Sequence, residues 1–127
     1  MSREIKFRAW DKECKRMLIV DEIKWPTRFN NGWIENVATD GRSGSSGVWE
    51  DFELMQFTGL KDKNGKEIWE GDIIAISGAK WEIEWNFGMA AYFCKAIGVF
   101  SVYCLTNGTA KTMEVVGNVH ENPELLK

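Results

Sequence analysis

One histidine, two prolines and three cysteines are all that this chain of 127 residues holds of those types. Each scarcity excludes something. A single histidine, His120, with three scattered cysteines supports neither a Ser/His/Asp nor a Cys/His nucleophile set, and a catalytic metal needs three well-placed ligands. Cys14, Cys94 and Cys104 are odd in number and lack C-x-x-C spacing, so they form neither a disulfide framework nor a zinc site, and a reducing cytosol is the default compartment. The apolar stretches fall far short of a membrane span, and Met1-Ser2-Arg3 runs into a strand-like pattern without an apolar signal region. The expectation is a soluble, cytoplasmic protein with no membrane contact. The glycines at 41, 44 and 47 come without the lysine and following helix of a phosphate cradle, so that segment reads as a linker.

What is present is aromatic. Seven tryptophans and seven phenylalanines accompany 44% apolar and 28% charged residues. One domain of this length buries roughly 65% of the surface its unfolded chain exposes, and large rings let few residues fill that core. Net charge is −3, unevenly spread. Residues 1–16 hold six basic side chains against three acidic ones, +3, which leaves −6 for the rest. A basic N-terminal segment on an acidic body suits phosphates or the acidic body of a second copy.

Hydrophobic periodicity gives strands almost throughout. Glu4 to Trp10 alternates, with Ile5, Phe7 and Ala9 on one face. Met17 to Val20 is its hairpin partner, and Trp25-Pro26 ends any regular element because proline lacks an amide donor. After the turn Asn30-Asn31-Gly32, a strand runs from Trp33 to Ala38. Thr39 to Gly47 is polar and flexible in composition. Trp81, Ile83, Trp85 and Phe87 alternate with polar residues as a half-buried antiparallel strand. Ile97 to Leu105 is apolar on both faces, which suits a covered central strand or a face that packs on another subunit. Phe100 and Val102 are therefore the candidate oligomer interface. Asn107-Gly108 reads as a hairpin turn, and Asn122-Pro123-Glu124 opens one closing helical turn. Short strands between Gly and Asn turns predict an all-β barrel or roll.

The most distinctive stretch is Met55 to Ile76, which holds two turn signals. Asn64 and Gly65 suit a tight hairpin; Glu70, Gly71 and Asp72 form a sharp start to the strand Ile73–Ile76. Glu70 and Asp72 are two nearby carboxylates, but an Asp in a turn ordinarily accepts backbone amides, so this motif is structural. Lys6, Arg8 and Trp10 share a face of the first strand and form the candidate partner-binding set, as cations beside an indole can follow a single nucleic-acid strand. The acidic balance favours a protein partner instead, because nonspecific nucleic-acid affinity comes mostly from phosphate neutralisation.

Three blocks resemble the YopX family of phage and prophage proteins: I-K-F-R-A-W-D-K at the start, Q-F-T-G-L-K-D-K-N-G-K-E-I-W-E-G-D-I-I in the middle, and V-V-G-N-V-H-E-N-P-E-L-L at the end. The resemblance implies a small SH3-like β-barrel with an N-terminal hairpin, encoded by bacteriophages or prophages, and it assigns no functional residues. The expectation is one YopX-like domain over 1–127: a hairpin region over 1–38, a flexible loop over 39–48 and a barrel core over 49–127. It is expected to be no enzyme, to need no cofactor or metal, and to act by binding a host or phage protein and by self-association as a homo-oligomer. A single-stranded nucleic-acid-binding module is the alternative.

Overall fold

The computed structural model describes residues 4–39, 42–97 and 102–126. The chain forms two compact units, Lys6–Gln56 and Phe57–Lys127 with Met1–Ile5. Both are built from antiparallel strands, so the mainly β expectation holds.

In the Lys6–Gln56 unit, β1 (Phe7–Asp11), β2 (Arg16–Lys24), β3 (Trp33–Ala38), β4 (Gly47–Val48) and the first half of β5 (Phe52–Lys61) lie in the order β4-β3-β2-β1-β5. Ala9 sits opposite both Leu18 and Leu54, and with Ile34, Ala38 and Phe52 they make an apolar face supported by Val20 and Trp49. A bulge at Asp21 lets Val20 pair with Asn36 and Glu22 with Glu35. Ile5 lies before β1 and is exposed, so the first strand begins three residues later than the alternation from Glu4 suggests.

The segment over 42–46 is tied down by polar groups rather than by apolar burial. Ser45 donates its amide to Asn36 Oδ1 at 2.8 Å and accepts from Asn36 Nδ2 at 2.9 Å, while its hydroxyl donates to Asp11. Gly44 passes so close to the Asn36 carbonyl that a β-carbon would collide with it. A short 3₁₀ turn, Trp49–Asp51, leads into β5.

In the other unit, the second half of β5 pairs with β6 (Glu67–Trp69). β7 (Asp72–Ile76), β8 (Ala79–Asn86), β9 (Ala91–Ala96), β10 (Val102–Cys104) and β11 (Glu114–Asn118) form an open sheet, β10-β9-β8-β7-β11. Its ends do not pair with each other, so the sheet does not close into a barrel. Ile68, Ile74, Ile83, Cys94, Leu105, Ala110, Met113 and Val115 are its core. Ser77 and Gly78, both at positive φ, form the two-residue connection of β7 to β8 that matches strand twist.

Asn107-Gly108 is not a hairpin turn. It starts a one-turn helix, α1 (Asn107–Ala110), because Thr106 Oγ1 accepts the Thr109 amide at 3.1 Å and Thr109 Oγ1 accepts the Thr106 amide at 2.9 Å. This reciprocal cap fixes the turn as helical and delivers Ala110 into the core. The closing turn is 3₁₀, Pro123–Leu126, and Asn122 turns its side-chain oxygen back to the Asn118 amide.

Candidate functional site

Buried carboxylates are the natural place to look for chemistry, and three of them face backbone amides. Gly71, at φ 83°, donates to the Ile83 carbonyl at 2.8 Å and accepts from the Val119 amide at 2.9 Å. Positive φ at that position strains any residue with a β-carbon. Asp72 follows with 2% exposure and accepts the Trp69 amide at 2.8 Å. Glu70 precedes them half-buried. The Asn64-Gly65 turn is organised by Asp62, two residues upstream of Asn64. One Asp62 oxygen accepts the amides of Asn64 and Lys66 at 2.8 and 2.9 Å. The other reaches the Val115 amide, at 2.9 Å, and so joins the turn to β11. Burial alone would raise the Asp62 pKa, but those amides and the Lys66 charge outweigh it and hold the carboxyl below its ordinary range.

Asp11 has the same physics in the other unit. Burial opposes its ionisation, yet bonds from Ser45 and the Cys14 and Glu13 amides keep its pKa low. Carboxylates of this kind accept hydrogen bonds and do not give up protons near neutrality. Local composition does not point to these contacts of Asp62 and Asp11, because their tertiary partners, Val115 and Ser45, are 53 and 34 residues away. Glu82, opposite Lys95 in β9, goes the other way: burial, with Glu84 nearby, raises its pKa despite Lys95.

His120 and Glu121 both donate their amides to Asn118 Oδ1, and Glu121 accepts from Asn118 Nδ2 at 3.0 Å. The histidine thus belongs to the turn after β11. Among the described residues no cluster of three or more His, Cys, Asp or Glu is arranged to hold a metal ion. Cys94 is buried, while Cys14 and Cys104 are exposed, and no disulfide joins any of them.

Lys6, Arg8 and Trp10 are half-buried. Arg8 lies between Ile19 and Met55 across the sheet, and Trp10 between Met17 and Glu53. All three residues engage in further interactions within the fold. Phe100 lies outside the described residues. Val102 is 54% exposed on the edge strand β10.

The exposed rings gather instead at two hairpin ends that strand alternation did not single out. At the β8–β9 end, Trp85-Asn86-Phe87-Gly88-Met89-Ala90-Ala91-Tyr92 has no charged residue. Phe87 is 89% and Met89 68% exposed, so the half-buried pattern of β8 stops short of Phe87. Asn86 Oδ1 accepts the Met89 amide at 2.9 Å, and Trp85 meets Tyr92 edge to face at 4.9 Å. At the β2–β3 end, Thr27 Oγ1 accepts the Phe29 amide at 3.1 Å and Asn30 Nδ2 at 3.0 Å. Asn30 Oδ1 accepts the Gly32 amide at 2.9 Å. Trp25, Phe29 and Trp33 are all exposed there.

The family model for YopX protein matches residues 6–127. The chain belongs to the YopX family. The match runs through the 39–47 loop and the strands from 80 to 105, which the three opening blocks left uncovered. The crystal structure of protein EF1440 from Enterococcus faecalis is similar at 31% identity and a TM-score of 0.64, covering 99% of this chain and 100% of that one. YopX from Bacillus subtilis shares the fold at 20% identity and a TM-score of 0.58, covering 96% and 98%. Among curated proteins none matches in sequence. No helix among the described residues is long and apolar enough to cross a membrane.

Proposed function

We propose that this YopX-family chain is a phage- or prophage-encoded accessory protein of the bacterial cytoplasm that works by binding protein, itself included, without catalysis. The observation that carries this reading is the β8–β9 end, where Phe87 and Met89 stand in solvent on a hydrogen-bonded turn within an uncharged run. Rings presented on a rigid turn lose little conformational freedom on contact and make good anchors. The exposed Val102 on edge strand β10 supports self-association of the same unit. Reading the open five-stranded sheet as an SH3-like roll belongs to the same proposal and rests on the family resemblance.

Size-exclusion chromatography with light scattering tests it. Wild-type protein should show a mass above that of one chain, and Phe87→Asp should return it to one chain without loss of secondary structure. A wild type that stays monomeric at high concentration would remove self-association. The alternative, single-stranded nucleic-acid binding, draws support from a different part of the molecule.

A further inference from the structure

We infer that the β2–β3 hairpin end is a stacking site for single-stranded nucleic acid. The inference takes up that alternative reading, places it away from Lys6, Arg8 and Trp10, and is independent of self-association. Residues 23–34 carry Lys24 and Arg28 and no carboxylate, within a chain of net charge −3. Both cations are exposed, and three exposed rings, Trp25, Phe29 and Trp33, alternate with them along this short segment. Lys24 lies directly opposite Trp33, which puts a cation and an indole on the same face of the sheet.

The end is preorganised. Pro26 lacks an amide and stops β2 from continuing. Thr27 donates its amide to the Asn30 carbonyl at 3.0 Å, the Thr27 hydroxyl accepts the Phe29 amide, and the Asn30 side chain accepts the amide of Gly32 just beyond the turn. Phe29 is therefore displayed on a fixed turn. Trp33 donates Nε1 to Glu35 at 2.7 Å, and Ser46 holds the other Glu35 oxygen. That bond occupies the only polar atom of the indole and leaves its π-face for contact. Trp25 leans on Trp49 at 5.2 Å and on Phe7 at 6.2 Å.

Charge identifies the occupant. A dry protein pocket would favour the uncharged β8–β9 end, whereas rings interleaved with cations suit a polyanion whose bases are free to stack. Duplex DNA buries its base faces and could use only the two cations. Glu22 and Glu35, paired across β2 and β3 beyond the Lys24–Trp33 pair, repel phosphate and bound the patch on that side. Two phosphate contacts give a shallow salt dependence, a slope of about −1.4 in log K against log salt for a single strand.

The probe is a labelled oligothymidylate of about twelve nucleotides, followed by anisotropy at low ionic strength. Wild type should bind it and bind duplex of the same length more weakly. Phe29→Ala should weaken binding about tenfold, in line with loss of one stacked base. Arg28→Ala should weaken it and reduce the salt slope by about 0.7. Phe87→Ala, in the other unit, should leave binding unchanged even where it alters self-association. No binding at low salt, equal binding by Phe29→Ala, or equal binding of duplex would overturn the assignment.

Discussion

Asp62 does at one residue what a longer turn would need several to do. Its two oxygens take three amides, two within the turn and one from β11, and ionised acceptors make stronger bonds than neutral ones. Asp62→Ala leaves those donors in a site that is 5% exposed and should cost about 2–4 kcal/mol in a denaturant melt. The depressed pKa values of Asp62 and Asp11 set a pH dependence with a definite sign. Both groups contribute stability that is fully present above the unfolded carboxylate value, about 4, and lost as pH falls through their lower folded values. Glu82 has the opposite sign. Its raised pKa means that folding favours the protonated form, so its contribution is present below the unfolded value and lost as pH rises through the folded one. Glu82→Gln should accordingly be neutral or stabilising at pH 7 and destabilising relative to wild type nowhere above that; melting temperatures across a pH series check both signs. Gly71→Val, forced to positive φ at the start of β7, should cost about 1–3 kcal/mol, and Asp72→Asn, which keeps an acceptor oxygen, should cost less than Asp72→Ala.

At the scale of elements, alternation located strands well where local residues decide them. β3 begins and ends at Trp33 and Ala38 as the sequence reads, since a Gly turn precedes it and a glycine- and serine-rich segment follows. The one-turn helix at Asn107 was illegible because its cap needs both Thr106 and Thr109, either of which is an ordinary β-former alone. Thr106→Ala should cost about 1 kcal/mol by removing the N-cap, and should lower protection of the Ala110 amide in hydrogen exchange. The loop over 39–48 was read from composition, and composition does not show that Ser45 meets Asn36 and Asp11. Nor does alternation say what covers a face: Trp81, Ile83, Trp85 and Phe87 share one pattern, yet Ile83 is fully buried and Phe87 stands in water.

For the whole molecule, the family was legible in three blocks of sequence, and the match over residues 6–127 establishes it. The candidate sites were not legible to the same degree. Turn residues announce themselves through local chemistry, whereas a binding surface depends on which rings the fold leaves uncovered. The central claim is that the β8–β9 end is where copies of this chain meet. Hydrogen–deuterium exchange at low and high protein concentration reads that most directly. Amides over residues 85–92 should gain protection as concentration rises, while the Asp62 turn stays constant and Phe87→Asp abolishes the gain. Unchanged exchange over 85–92 in a protein that does associate would contradict the claim.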